Sequence, residues 1–133
     1  MGETMGNFLV KDSGLGTGKG LFAARDFKKR EYLLDYTGIK IATKVADTLS
    51  SRYLFEINSR WTIDGEPSSN TARWINHACE PNVEAEIEGG RIKIYAIRNI
   101  TKGEEFAIDY GDEYFDEFIK PVGCKCGATK HRA

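Results

Sequence analysis

Apolar positions along this chain recur mostly at two-residue intervals, and each run breaks at glycine or at a polar cluster. The clearest case is Val83–Glu88 followed by residues 91–98 across Gly89-Gly90. Glu84, Glu86 and Glu88 alternate with Val83, Ala85 and Ile87, while Ile92, Ile94 and Ala96 share one face, so the pattern predicts a β-hairpin. Further short strands are predicted over residues 8–10, 20–24, 31–36 and 106–109. Residues 53–57 and Trp61–Asp64 flank a tight turn at Asn58-Ser59. Helical spacing is confined to residues 45–51 and 71–75, and Asn70 is placed to cap the second. Many short strands with glycine turns and little helix predict a mainly β domain.

Composition narrows the class without changing that picture. A chain of 133 residues, 41% hydrophobic and 29% charged, suits a single unit with a modest core. Nineteen basic against twenty acidic residues give a net charge of -1, which argues against the basic footprint that holds nucleic-acid phosphates. No apolar run approaches bilayer length, and the first residues lack an apolar signal stretch. The expectation is an intracellular, cytoplasmic protein without a membrane partner, nuclear or chromatin-associated if eukaryotic or acting on a host. Three cysteines do not make a disulfide framework.

The glycine-rich stretch from Gly14 to Gly20 invites a nucleotide-binding reading, which its spacing refuses. A P-loop needs glycine five residues before the Gly-Lys pair and a hydroxyl after it. Here Ser13 and Gly20 hold those places. The dinucleotide fingerprint fails too, because Lys19 and Leu21 stand where its third glycine should be. A loop whose backbone can approach a ligand closely is left. Residues 70–82, NTARWINHACEPN, concentrate Arg73, Asn76, His77, Cys79, Pro81 and Asn82 beside Trp74 and Ile75. Polar groups so dense beside apolar ones predict a buried hydrogen-bonded network. Residues 104–119 carry seven acidic side chains and no basic one, either a solvated face or a field for a basic substrate segment.

In order, these blocks resemble the SET-domain protein lysine methyltransferases. Gly18-Lys19-Gly20-Leu21-Phe22-Ala23 looks like the family's Gly-x-Gly motif, and Asp35-Tyr36-Thr37-Gly38 its acidic-Tyr-x-Gly motif. Residues 73–82 match the Arg-Phe-x-Asn-His-Ser-Cys-x-Pro-Asn signature, with Trp74 for Phe and Ala78 for Ser. Gly103-Glu104-Glu105-Phe106 with Asp109-Tyr110-Gly111 resembles the last motif.

The resemblance implies a SET fold of short strands in several small curved sheets, few short helices and a knot-like threading of the last segment. It implies transfer of a methyl group from S-adenosylmethionine to a lysine amine of a histone or other basic chromatin-associated protein. Tyr110 matches the catalytic tyrosine, and Tyr36 would line the lysine channel. Gly18, Lys19 and Gly20 would meet the cofactor through backbone. Asn76 and His77 would hold the adenosine, Arg73 and Tyr53 the methionine end, and Phe115 or Phe118 would cover the adenine. Ile108, two before Tyr110, lacks a hydroxyl that would keep water in the channel and leans towards di- or trimethylation.

Cys124-x-Cys126 followed by His131 resembles the post-SET segment with histidine in place of its third cysteine. With Cys79 these residues would form a Cys3His zinc site. The implied division is residues 1–119 for the SET domain and 120–133 for the zinc-binding segment. The alternative is a SET-like module that grips a basic peptide without turnover. A nucleic-acid zinc ribbon fails on charge balance and on having a single cysteine pair.

Overall fold

The computed structural model describes residues 3–13, 18–49, 51, 53–78 and 80–109. Four small sheets account for the strands among them. Strands β1 (Glu3–Met5), β2 (Phe8–Asp12) and β3 (Lys19–Ala23) form an antiparallel meander. A second sheet has the order β4-β10-β9, from β4 (Tyr32–Tyr36), β9 (Val83–Glu88) and β10 (Arg91–Ala96). A third joins β5 (Ile39–Ala42), β7 (Trp61–Asp64) and β6 (Leu54–Glu56), in that order. Two residues each from β8 (Asn76–His77) and β11 (Ala107–Ile108) pair in parallel.

The predicted hairpin is present with Arg91 opposite Glu88 and Ala96 opposite Val83. Gly89 and Gly90 both have positive φ, 59° and 78°, the geometry a two-residue turn needs to match strand twist. Alternation then sorts the faces: Ile92, Ile94 and Ala96 are buried, while Arg91, Lys93 and Tyr95 face outward. On that outer face Arg91 Nε donates to Asp35 at 2.7 Å, and the Tyr95 hydroxyl donates to Glu88 at 2.6 Å. The carboxylate beside it pushes the Tyr95 phenol up to about 12.

The core lies between the first two sheets and the segment leading to β11. Phe27 and Phe106 are among its largest fully buried side chains, with ring centroids 5.5 Å apart and edge to face. Phe8 stacks on Phe27 at 5.9 Å from the edge of that pair. Ile100, Val83 and Leu21 complete the packing around them.

The helices differ from expectation. The turn predicted over 45–51 forms earlier, as α1 (Thr43–Ala46). The Thr43 N–H donates to Arg60 O at 2.9 Å, and its hydroxyl meets Thr62 Oγ1 at 2.9 Å. A β-hairpin contact therefore fixes where the helix starts, and Val45 and Leu49 stay exposed. The second helix is a 3-10 turn, Thr71–Trp74, and the Asn70 side chain does not cap it. Its Oδ1 instead accepts the Thr37 N–H at 3.0 Å, and its Nδ2 donates to Gly65 O at 3.0 Å. Strand β5, and β8 within the 70–82 segment, went unread from pattern, being short or polar. The threading of the last segment and the boundary at 119 lie outside the described residues.

Candidate functional site

Two clusters of side chains meet along residues 70–77. The first surrounds Asn76. Its Nδ2 donates to the Lys19 carbonyl at 3.0 Å and to Glu105 Oε2 at 2.9 Å. Ser13 Oγ closes on the same carboxylate, 2.8 Å from each oxygen. Backbone register puts these groups together: Phe106 N–H donates to Leu21 O, and Phe22 bridges Glu105. Gly20 packs against this cluster. A Cβ there would overlap Glu105 Oε2 and lie 3.3 Å from Asn76 Nδ2. Any side chain at residue 20 would have to displace the Glu105 carboxylate.

The second cluster is built on Arg73. Its guanidinium carbon sits 4.6 Å from the Tyr53 ring centroid and 5.1 Å from that of Trp74, a cation–π pair of contacts. Its Nε is buried and, among the described residues, has no hydrogen-bond partner. Tyr53 links this cluster to Tyr36, whose hydroxyl donates to the Tyr53 carbonyl at 2.8 Å. The Tyr36 ring is buried beneath Gly65, where a Cβ would lie 2.5 Å from its hydroxyl oxygen. Asn70 ties Thr37 to Gly65 and so holds Tyr36 in that slot.

His77 follows Asn76 in β8, its side chain buried and its Nδ1 3.9 Å from Asp109 Oδ1. Parallel pairing sets His77 opposite Ile108, which is itself buried in the core. Asn82, also buried, clamps the crossing: its Oδ1 accepts the Ala107 N–H at 2.8 Å and its Nδ2 donates to Glu105 O at 2.9 Å. Asn70, Asn76 and Asn82 of the dense polar segment are thus hydrogen-bonded, while Arg73 Nε is without a partner among the described residues.

The structure brings Lys19 and Gly20, which follow Gly18, together with Asn76, and brings Arg73 together with Tyr53 and Tyr36, while His77 is set against Ile108 and Asp109. Tyr110, Cys79, Cys124, Cys126, His131, Phe115 and Phe118 lie outside the described residues. Two described members of the acidic run have internal roles. Glu104 pairs with Arg98 at 2.9 Å and accepts the Thr101 N–H, and the Arg98 hydrogen bond holds its carboxyl below the ordinary range. Glu105 serves Asn76 and Ser13. Neither is part of an open acidic face. Glu105 and Asn82 were legible only as motif letters, and Ser13 only as a failed P-loop position.

S-adenosylmethionine, which the resemblance implies, can be tested against these groups. An amino-acid carboxylate would satisfy Arg73 Nε, which has no partner among the described residues. The residues present therefore fit such a cofactor.

Comparison with known proteins agrees with the geometry. Residues 18–111 match the family described as SET domain. The chain is 36% identical over 127 residues to histone-lysine N-methyltransferase trr of Drosophila melanogaster, covering 86% of this chain and 5% of that protein. It is 36% identical over 127 residues to human histone-lysine N-methyltransferase 2D, covering 86% of this chain and 2% of the relative. It is 38% identical over 126 residues to the H3 lysine-4 specific enzyme of Schizosaccharomyces pombe, covering 85% of this chain and 13% of the relative. The chain thus spans a small fraction of the length of these relatives. The matched segment contains the Gly18–Gly20 turn, the Arg73 cluster and the Asn76-His77 strand, and on that ground the chain belongs to the SET domain family.

Proposed function

We propose that this chain is an S-adenosylmethionine-dependent protein-lysine N-methyltransferase, acting on a histone or another basic, chromatin-associated protein. The observation that carries the reading is the buried Arg73 Nε, unpartnered among the described residues and three residues before Asn76, whose amide donates to the Lys19 carbonyl beside Gly20. A carboxylate at one end and an adenosine at the other would engage both clusters. Histone-lysine methyltransferase relatives support the same activity, and their names support the substrate class.

When bound, S-adenosylmethionine supplies an electrophilic methyl group carried on a sulfonium. Arg73 and Tyr53 would hold its carboxylate end, Gly18, Lys19 and Gly20 its backbone-facing edge, and Asn76 and His77 its adenosine. Attack requires a neutral lysine amine, although free lysine titrates near about 10.4. An aromatic, water-poor channel favours the uncharged form. Tyr36, with its proton given to the Tyr53 carbonyl, serves to line and orient rather than to take a proton. Tyr110 would complete the channel, and the proton released by the amine passes to water. Positioning then carries most of the rate. Ile108, two residues before Tyr110, would favour addition of more than one methyl.

The test is a labelled-methyl assay on a histone panel, read by mass spectrometry. Wild type should label lysine, and Tyr110→Phe should lose at least about 100-fold in rate while still binding cofactor. Cofactor binding without labelling of any protein would support the non-catalytic module instead. We also propose that Cys79, Cys124, Cys126 and His131 hold one zinc in residues 120–133 and the signature segment. Purified chain should contain about one zinc, and less than about half would count against the site.

A further inference from the structure

We infer that Glu105 is a positioning residue that fixes the Asn76 amide as a hydrogen-bond acceptor toward the cofactor; this rests on the methyltransferase reading of the site. An amide nitrogen has two hydrogens and its oxygen has none. The Lys19 carbonyl and the Glu105 carboxylate both only accept, so Nδ2 must be the atom facing them, at 3.0 and 2.9 Å. With both hydrogens engaged, the amide cannot flip without placing oxygen against two acceptors. Its Oδ1 is therefore the end presented to a ligand, and the ligand group that meets it must be a donor. S-adenosylmethionine carries such donors on its adenine, ribose and ammonium groups.

Glu105 is built to hold that orientation. Its own carbonyl accepts from Asn82 Nδ2 at 2.9 Å, and its neighbour Phe106 is pinned to Leu21. Ser13 Oγ donates to its carboxylate from the far end of the glycine-rich stretch. Ser13 N–H also donates to Gly18 O at 2.7 Å. One carboxylate thus joins the Asn76 amide to Ser13. A Cβ at residue 20 would strike this same carboxylate, so Gly20 and Glu105 share the constraint.

The experiment is calorimetric titration of the full chain with S-adenosylmethionine, using wild type, Glu105→Ala, Glu105→Gln, Asn76→Ala and the Ala/Ala double variant. Glu105→Ala should weaken binding by roughly 10- to 100-fold, the range for losing a hydrogen bond to a charged group. Glu105→Gln should cost less than about 5-fold, because its carbonyl still accepts from Asn76. The double variant should bind no more weakly than Asn76→Ala alone, since Glu105 acts through Asn76. In turnover, the KM for the cofactor should rise while kcat stays nearly constant. A folded Glu105→Ala chain with wild-type affinity, or losses that simply add in the double variant, would overturn the assignment. If the alanine variant does not fold, Glu105→Asp carries the test. It withdraws the carboxylate by one methylene, and unchanged affinity would overturn the role. Failure of wild type to bind any cofactor defeats the reading of the site itself, and is seen before any substitution is made.

Discussion

Replacing Arg73 by alanine should lower affinity for S-adenosylmethionine by about 100-fold, and lysine at the same position should restore only part of it. The guanidinium carbon lies over the Tyr53 and Trp74 rings, 4.6 and 5.1 Å from their centroids. These contacts restrict the guanidinium, and its buried Nε has no hydrogen-bond partner among the described residues. A buried polar atom without a partner is costly, so such an arrangement persists where a ligand group completes it. A charge-assisted hydrogen bond to a carboxylate is worth about 1.5–3 kcal/mol, and the net loss of one such bond sets the expected fold-change. Lysine keeps the charge but loses the planar fork and the stacking. Calorimetry on folded variants measures this directly. An Arg73→Ala chain with unaltered cofactor affinity would remove Arg73 from the site.

The second large effect concerns Gly38, at the entrance to β5. A Cβ there would overlap the Asp64 carbonyl oxygen and stand 2.7 Å from its carbon and 3.0 Å from Gly65 Cα. These are backbone atoms of the neighbouring strand end, which cannot rotate away. Gly38→Ala should therefore force β5 from β7 at the point where Ile39 pairs with Asp64. The expected cost is about 3 kcal/mol, at the upper end for overpacking. For a chain of this size that lowers the Tm by roughly 10 °C. Because Gly65 roofs the Tyr36 ring, the same displacement should disturb the Tyr36–Tyr53 hydrogen bond and reduce turnover. Thermal denaturation with a parallel activity assay tests both parts. A variant that melts with wild type would show that the strand ends do not pack this closely.

The contrast between these residues shows how unevenly the site was written into the chain. Arg73 and Gly38 stand inside motifs that resemble a known family, so their importance could be expected while its physical cause could not. Gly38 is glycine because Asp64 backbone occupies the space. Asn70 shows the opposite difficulty. Its position before a short helix reads as a cap by local rules, yet its amide bridges Thr37 and Gly65. Helix α1 likewise begins where Thr43 meets Arg60, against the apolar pattern of Val45 and Leu49.

By itself the sequence determined the hairpin of Val83–Glu88 and Arg91–Ala96, its glycine turn, the mainly β class and the polar density of residues 70–82. Each of these is local: a period of two assigns a face, and positive φ at a turn selects glycine. The tertiary structure alone decided that Asn76-His77 lies parallel to Ala107-Ile108, and that the Glu105 carboxylate joins Asn76, 29 positions away, to Ser13, 92 positions away. No spacing rule relates residues that far apart. Their meeting depends on how the sheets pack around Phe27 and Phe106, because burying those rings draws the Leu21–Phe106 contact together and brings the site's polar groups with it.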